Sequence, residues 1–225
     1  MPAVKSVPPP NRRQAQADAT RAAIVAAAQA LFMRDGYAAA TIEAIAREAG
    51  VAMQTVYNAV GKKPALLNAV LDAAASGPAA PRPVAEFMQE RAAASADGSA
   101  FIALLADWFA EVQPRIAPVF RLIDEAAADH PEVAALAQAR AEQRLRNYAQ
   151  AARALKARNA LAEGYTLEEA AALVWSIGHP QVYRMLVTQQ GWTLVHYRNW
   201  VQKALLSALL PPMQRPAQVK VRRPA

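Results

Sequence analysis

The sequence predicts an all-α protein with a small N-terminal head of three helices and a larger helical C-terminal domain. Alanine, the strongest helix former, accounts for 57 of the 225 residues. Apolar residues recur at the spacing of one helical face along most of the chain. Prolines and glycines fall between these periodic runs or near their ends, where they start, stop or kink helices.

The composition offers little from which to build a catalytic or metal site. The chain has no cysteine and three isolated histidines, so thiolate zinc sites are excluded and no metal or cofactor is expected. We find no ExxH pair, no HExxH motif and no glycine-rich phosphate loop, so no catalytic residue is assigned. A small all-α enzyme is kept as a remote alternative. No apolar run is long enough to span a membrane and no signal peptide is evident, so we expect a cytoplasmic protein with no membrane partner.

The two ends of the chain carry most of its net charge of +7. Both ends are also rich in proline. We therefore predict a disordered basic arm over residues 1–19 and a disordered basic tail over residues 211–225, with a linker at 76–83. Charge alone does not establish nucleic-acid binding, because basic tails also aid solubility.

The head begins with a helix predicted from Thr20, as its N-cap, to Gly36. Thr41 is expected to cap a short second helix, which Gly50 ends, and a third helix follows over residues 53–60. Two short helices joined by a glycine turn are typical of a helix-turn-helix, whose second helix enters the major groove of DNA.

The third helix carries residues suited to reading bases. Val56 and Val60 are expected to face the core, which leaves the neighbouring side chains uncovered. We assign base contacts to Met53, Gln54, Thr55 and Asn58. The two amides can each bond adenine in a bidentate manner, while threonine and methionine offer contacts to thymine. We assign DNA phosphate contacts to Thr41, Tyr57, Lys62 and Lys63.

Several short motifs recur here as a set: Leu-Phe at 31–32, Gly-Tyr at 36–37, Ala-Gly-Val at 49–51, Thr-x-Tyr at 55–57, then Lys63 before an apolar fourth helix. Together they resemble the DNA-binding domain of the tetracycline-repressor (TetR) family of bacterial transcriptional regulators. The resemblance implies phosphate contacts from Thr41, Tyr57 and Lys63, and base reading by the third helix. It also implies a homodimer that responds to a small-molecule effector and associates with the nucleoid when bound to its operator.

The chain departs from the family pattern in three places. Ala52 replaces a serine or similar cap, Val60 replaces phenylalanine, and Lys62-Lys63-Pro64 replaces the more usual sequence of a polar residue, lysine and an acidic residue. The lost cap weakens the start of the third helix by ~0.5–2 kcal/mol. Without the shared motifs, the same periodicity would also fit a helical bundle with no role in DNA binding.

We assign residues 20–63 to the helix-turn-helix domain and residues 64–210 to a domain for ligand binding and dimerisation. The helices of the second domain are predicted at 65–75, 84–94, 99–113, 117–128, 131–162, 166–187 and 193–210. Thr166 and Glu169 form a capping box, and Gly178 is expected to break or kink the helix that follows.

Bulky apolar residues and a few polar ones define a candidate ligand pocket in this second domain. They are Phe101, Leu105, Trp108, Phe109, Phe120, Asp124, Arg144, Tyr148, Trp175, His179 and Tyr183. Aromatic residues at helical spacing are also typical of an ordinary core, which is the alternative for each of them.

The last two predicted helices carry more apolar surface than one protomer needs to cover its core. We assign the surplus to a twofold dimer interface formed by Leu173, Ile177, Val182, Leu186, Trp200, Val201, Leu205 and Leu209. Such symmetry suits a palindromic operator with half-sites ~34–36 Å apart. Burial of both helices inside a monomer is the alternative.

These observations predict a ligand-responsive DNA-binding regulator, most often a repressor in the family that it resembles. Its partners would be double-stranded operator DNA and a small-molecule effector. An architectural DNA-binding protein without an effector shares every feature of the head and is the main alternative.

Overall fold

A computed structural model of the chain describes residues 12–77 and 90–211. Every regular element in these two segments is helical. The helices are α1 Arg12–Ala39, α2 Ile42–Glu48, α3 Met53–Ala59, α4 Lys63–Ser76, α5 Gly98–Ala127, α6 Pro131–Ala157, α7 Leu167–Ile177, α8 Pro180–Tyr183, a π-helical turn Arg184–Gln189 and α9 Leu194–Leu209. None of the helices in the described segments is long and apolar enough to cross a membrane.

Helix α1 starts earlier than expected, inside the segment predicted to be a disordered arm. Its first residue is Arg12, so residues 12–19 are helical, while residues 1–11 lie outside the described segments. Thr20 is not an N-cap, because it lies inside the helix and its hydroxyl donates to the carbonyl of Gln16 at 2.9 Å. Alanine, arginine and glutamine favour the helix over this stretch, which lets it continue past the predicted cap.

The helix-turn-helix forms as predicted. The Thr41 hydroxyl oxygen accepts the N–H of Ala44 at 3.1 Å and caps α2. Gly50 adopts a φ of 69° at the turn, a conformation that glycine reaches without steric cost. Ala52 makes no side-chain cap bond to α3. The head is further tied together by Arg21, whose Nη1 donates to the carbonyl of Ala59 at the end of α3 at 2.6 Å.

A single long helix, α5, replaces the two helices predicted at 99–113 and 117–128. It continues through Pro114 and Pro118, although a proline inside a helix costs about 3 kcal/mol through its lost hydrogen bond and steric clash. Burial outweighs this cost, because 16 of the 30 residues of α5 are buried against α1, α4, α6, α8 and α9. Tertiary packing therefore overrides the local signal for a break.

Two apolar cores share α5. The first core is formed by helices α1, α2, α3 and α4 together with the C-terminal half of α5, and it contains Phe32, Ile45 and Val56. The second core is formed by the N-terminal half of α5 together with α6, α7 and α9. Since α5 contributes to both cores, the head is packed directly against the larger domain.

The chain breaks after α7 where the sequence predicts it. Gly178 ends α7 and His179 begins α8 in an extended conformation. A Cβ atom at Gly178 would lie 2.2 Å from the ring of Phe109, so glycine permits the close approach of this loop to α5. The capping box of Thr166 and Glu169 is present. The predicted helix 131–162 ends earlier, at Ala157.

The predicted linker and tail fall mostly outside the described segments. Ser76 is the last residue of α4 and Gly77 its C-cap, whereas residues 78–83 and 212–225 are not described. Of the helix predicted at 84–94, residues 90–94 are helical and the rest lie outside.

Candidate DNA-binding surface and ligand cavity

The solvent-facing side of α3 presents most of the residues expected to read bases. Met53 is 50% exposed, and Gln54 and Asn58 are exposed as well. Thr55 was expected to be uncovered, but its side chain is half-buried. It lies at the edge of the helical stripe that contains the fully buried Val56.

Gln54 and Asn58 are linked across one turn of α3. Nε2 of Gln54 donates to Oδ1 of Asn58 at 2.9 Å. This bond orients both amides on one face of the helix and leaves the Gln54 Oε1 acceptor and the Asn58 Nδ2 donor outside the pairing. Adenine presents one acceptor and one donor in the major groove, which is the pattern that an amide matches.

Three of the four candidate phosphate contacts are accessible. Tyr57 is 45% exposed, and Lys62 and Thr41 are exposed. The Thr41 oxygen accepts the cap bond of α2, which leaves its hydroxyl hydrogen able to donate.

Lys63, the fourth candidate, is engaged within the protein at the junction of the head and the larger domain. Its Nζ donates to the carbonyl of Ala38 at 3.0 Å and lies 4.4 Å from the ring centre of Tyr37. Burial lowers the pKa of Lys63. The Tyr37 ring also meets His130 edge-on at 5.0 Å, and burial raises the pKa of Tyr37 to about 12. His130 follows α5 and carries no local sequence signal, so this junction was not predicted.

A cavity of about 800 Å³ lies between α4, α5 and α6. Seven of the expected pocket residues line it: Phe101, Leu105, Trp108, Phe109, Phe120, Arg144 and Tyr148. Helix α4 closes one side through Leu71, Asp72, Ala75 and Ser76. These α4 residues were not predicted, because the periodicity of α4 indicates a buried face without indicating what that face covers.

A smaller cavity of about 350 Å³ adjoins the large one. It is lined by three further expected residues, Asp124, Trp175 and His179, and it shares Phe120, Arg144 and Pro180 with the large cavity. Tyr183 lines neither cavity, so its assignment to the ligand pocket was wrong. Its buried ring packs edge-on against that of Tyr197 at 5.3 Å, because α8 turns this side chain towards α9.

Several charged or titratable side chains line the smaller cavity. The guanidinium of Arg144 lies 4.3 Å from the ring centre of Phe120, and its Nη2 lies 3.4 Å from Nε2 of His179. Burial, together with the charge of Arg144, lowers the pKa of His179 to about 4, so its ring is neutral at pH 7. Burial raises the pKa of Asp124, while Arg144 and Arg184 oppose that rise.

Comparison with known proteins identifies the head. Residues 24–70 match the family described as bacterial regulatory proteins, tetR family. The N-terminal domain belongs to the tetR family. No curated protein sequence matches the chain significantly.

The larger domain also follows the TetR-family fold, as solved structures reveal. NalD of Pseudomonas aeruginosa, the secondary repressor of the MexAB-OprM multidrug efflux pump, is 19% identical with a TM-score of 0.67, covering 87% of this chain and 99% of its own. SmeT in complex with triclosan is 22% identical with a TM-score of 0.67, and the match covers 92% of this chain and 99% of SmeT. FadR of Bacillus subtilis in complex with stearoyl-CoA is 21% identical with a TM-score of 0.66, and the match covers 83% of this chain and 97% of FadR.

Two arginines of the larger domain hold α4 in place. Arg140 of α6 donates from Nε to Oδ1 of Asn68 at 2.7 Å and from Nη2 to Oδ1 of Asp72 at 2.5 Å. Arg115 of α5 donates from Nε to the carbonyl of Ala74 at 2.9 Å. Arg140 and Asp72 also line the large cavity. The bond that holds α4 against α6 is therefore part of the cavity wall.

The apolar face near the C-terminus differs in part from the predicted dimer interface. Val201, Leu205 and Leu209 are fully buried within the protomer and are corrected to core residues. They lie four residues apart on the single face of α9 that packs against α5 and α7. The other predicted interface residues are partly exposed: Leu173, Ile177, Val182, Leu186 and Trp200. Nearby, Met185 is 48% exposed and Val195 is 70% exposed.

Proposed function

We propose that this protein is a ligand-responsive transcriptional repressor that binds a palindromic operator as a dimer. The observation that carries the proposal is the position of α4. This helix follows the DNA-facing α3 directly in sequence, and its far end forms one wall of the 800 Å³ cavity. A ligand in the cavity would therefore touch the element that leads to the reading head.

Operator reading is assigned to the exposed face of α3. Gln54 and Asn58 offer hydrogen bonds to base edges, and Met53 offers an apolar surface to thymine. Tyr57, Lys62 and the Thr41 hydroxyl supply contacts to the phosphates, which position α3 without reading sequence. Lys63 already donates one hydrogen bond to the carbonyl of Ala38 and is partly buried, so we rank it below Lys62.

Release by an effector is assigned to the large cavity. The relatives in complex with triclosan and stearoyl-CoA support a small-molecule ligand, and apolar lining with a few polar groups is typical of such sites. An effector acts only through its difference in affinity for two conformations. Here the difference would come from contacts with α4 and with Arg140, which bonds α4 to α6.

Dimerisation is assigned to the partly exposed apolar face around Trp200. A second copy placed on this face by a twofold axis would cover Leu173, Ile177 and Leu186. A twofold pair of heads would then meet two half-sites of one operator in successive major grooves.

Selection of bound sequences from a random DNA pool tests the proposal. The wild-type protein should enrich a palindrome, and candidate small molecules should lower its affinity for that palindrome. Enrichment of no sequence would contradict operator reading. A palindrome whose binding no cavity ligand weakens would favour the architectural alternative instead.

A further inference from the structure

The smaller cavity gathers hydrogen-bond donors that have no acceptor. Nε of Arg144, Nε of Arg184 and Nε1 of Trp175 are all buried, and none has a hydrogen-bond partner among the described residues. All three residues line the same 350 Å³ cavity. Buried polar atoms in proteins are nearly always hydrogen-bonded, so three orphaned donors in one cavity point to a ligand that accepts hydrogen bonds.

His179 adds a fourth donor to this group. Its Nδ1 accepts the backbone N–H of Gln181 at 3.1 Å. A neutral ring that accepts at Nδ1 carries its proton on Nε2, and Nε2 lies 3.4 Å from Nη2 of Arg144. Two donors therefore face each other, and an oxygen atom bound beside them could accept from both.

The charges in the cavity favour an anion over a cation. Arg144 and Arg184 form no salt bridge with any carboxylate in the described segments. Arg121, the third arginine that lines the cavity, is neutralised by Glu125 at 2.6 Å. Asp124 is the single acidic residue that lines the cavity. With His179 neutral, the two unpaired guanidinium groups exceed the acidic charge by one, which an anionic ligand would balance.

The neighbouring cavity indicates the rest of the ligand. Arg144 lines both cavities and stacks on Phe120 between them. Beyond Phe120, most of the residues that line the large cavity are apolar, among them Phe101, Leu105 and Trp108. Its other charged residues, Asp72, Arg140 and Arg158, are a minority of the lining. A head group held by Arg144 would therefore leave an apolar body in the large cavity.

We propose that the effector is an amphipathic anion whose carboxylate or similar oxyanion binds Arg144, Arg184 and Trp175 while its apolar part fills the large cavity. That this ligand acts as an effector rests on the proposed function, whereas the anion-binding site itself does not depend on it. Planar guanidinium groups suit oxyanions because they offer two parallel donors in a fixed geometry.

Titration calorimetry with three probes of one chain length tests the site: decanoate, the uncharged decanol and the cationic decylamine. Decanoate should bind the full-length protein more tightly than decanol by about 10-fold or more, and decylamine should bind most weakly. Equal affinities of decanoate and decanol, or no detectable binding of decanoate at millimolar concentration, would overturn the inference.

Four variants assign the preference to the cavity. Arg144→Gln and Arg184→Gln should each reduce the preference for decanoate over decanol. Arg146→Gln, which removes a surface charge paired with Glu142 outside both cavities, should retain it. Asp124→Asn should strengthen decanoate binding. Retained decanol binding reports that a variant is folded. An undiminished decanoate preference in both Arg144→Gln and Arg184→Gln would refute the assignment.

Measurement of operator affinity separates this inference from the proposed function. Binding of decanoate that depends on Arg144 but leaves operator affinity unchanged would uphold the anion site and contradict release by a ligand there. Release of the operator by decanol as readily as by decanoate would uphold an effector cavity and contradict an anionic effector.

Discussion

At the scale of single residues, the proposed reading face of α3 combines an organised polar pair with exposed neighbours. The bond between Gln54 and Asn58 limits the rotamers of both amides before DNA is present. Pre-organised groups lose less conformational entropy on binding than free side chains do. The proposed phosphate contacts differ from this pair, because the exposed Lys62 would contribute as a charge rather than through a fixed geometry.

Alanine at Asn58 should relax sequence preference at one base position by ~1–3 kcal/mol, because it removes a base contact and also frees Gln54. Alanine at Lys62 should weaken binding to specific and random DNA alike and lower the salt slope by ~1. Equilibrium binding to both kinds of DNA over a range of salt concentrations measures the two effects. The division of labour would be wrong if the two variants behaved alike.

The partly buried ring of His179 should make folding sensitive to pH in a defined window. Its pKa in the folded protein is about 4, below its ordinary value of 6.5, so between these values the unfolded chain binds more protons than the folded one. The free energy of unfolding should therefore fall as the pH decreases from about 6.5 towards 4.

Chemical denaturation of the wild type and His179→Asn between pH 7 and pH 5 measures this effect. Asparagine keeps an acceptor for the N–H of Gln181 but does not titrate. The variant should lose less stability than the wild type over this range. Parallel curves for the two proteins would show that His179 is not the group responsible.

At the scale of elements, α4 is the connection between cavity and head. Its C-terminal half packs on the large cavity, and Arg115 and Arg140 hold it from α5 and α6. A helix held by few polar bonds at the rim of a cavity can change position when a ligand alters those bonds. The same two arginines were not recognisable in the sequence, because their partners lie 41 and 72 positions away.

Replacement of Arg140 by methionine should weaken the coupling between ligand and operator. The variant keeps much of the apolar stem but loses the bonds to Asn68 and Asp72, so we expect the coupling free energy to fall by ~1 kcal/mol. The measurement is operator affinity with and without a cavity ligand. Arg146→Met, which removes the surface ion pair of another α6 arginine with Glu142, is the matched control. An equal change in both variants would contradict a special role for Arg140.

Alanine at Gly178 should destabilise the packing between the α7–α8 loop and α5 by ~1–3 kcal/mol. The added methyl group would collide with the Phe109 ring at 2.2 Å. Thermal unfolding of the single variant and of the double variant with Phe109→Leu measures the conflict, because the smaller side chain should relieve part of it. No relief in the double variant would place the cause elsewhere.

At the scale of the whole molecule, the uncovered apolar face around Trp200 is the feature that one protomer leaves unexplained. Exposed apolar residues also lie at the start of α9, the helix that carries Trp200: Leu194 is 44% exposed and Val195 is 70% exposed. Contiguous apolar patches on a folded protein commonly mark an interface. The twofold dimer proposed above would bury this face while leaving both copies of α3 free.

Substitution of Trp200 by arginine should convert the protein to a monomer and strongly weaken operator binding, because a charge placed in an apolar interface is costly to desolvate. Sedimentation velocity measures the oligomeric state. Met33→Arg adds the same charge at another exposed apolar position, in the head, and should leave that state unchanged. A Trp200→Arg variant that sediments like the wild type would contradict the proposed interface.

The helices of the head, the cap at Thr41 and the exposed face of α3 were predictable from the sequence alone, because capping bonds and helical periodicity depend on residues only a few positions apart. The two cavities, the unbroken course of α5 through its prolines and the division of α9 between core and surface were decided only by tertiary structure. These features depend on which helix face meets which neighbour across tens of residues, and burial of apolar surface there outweighs local preferences.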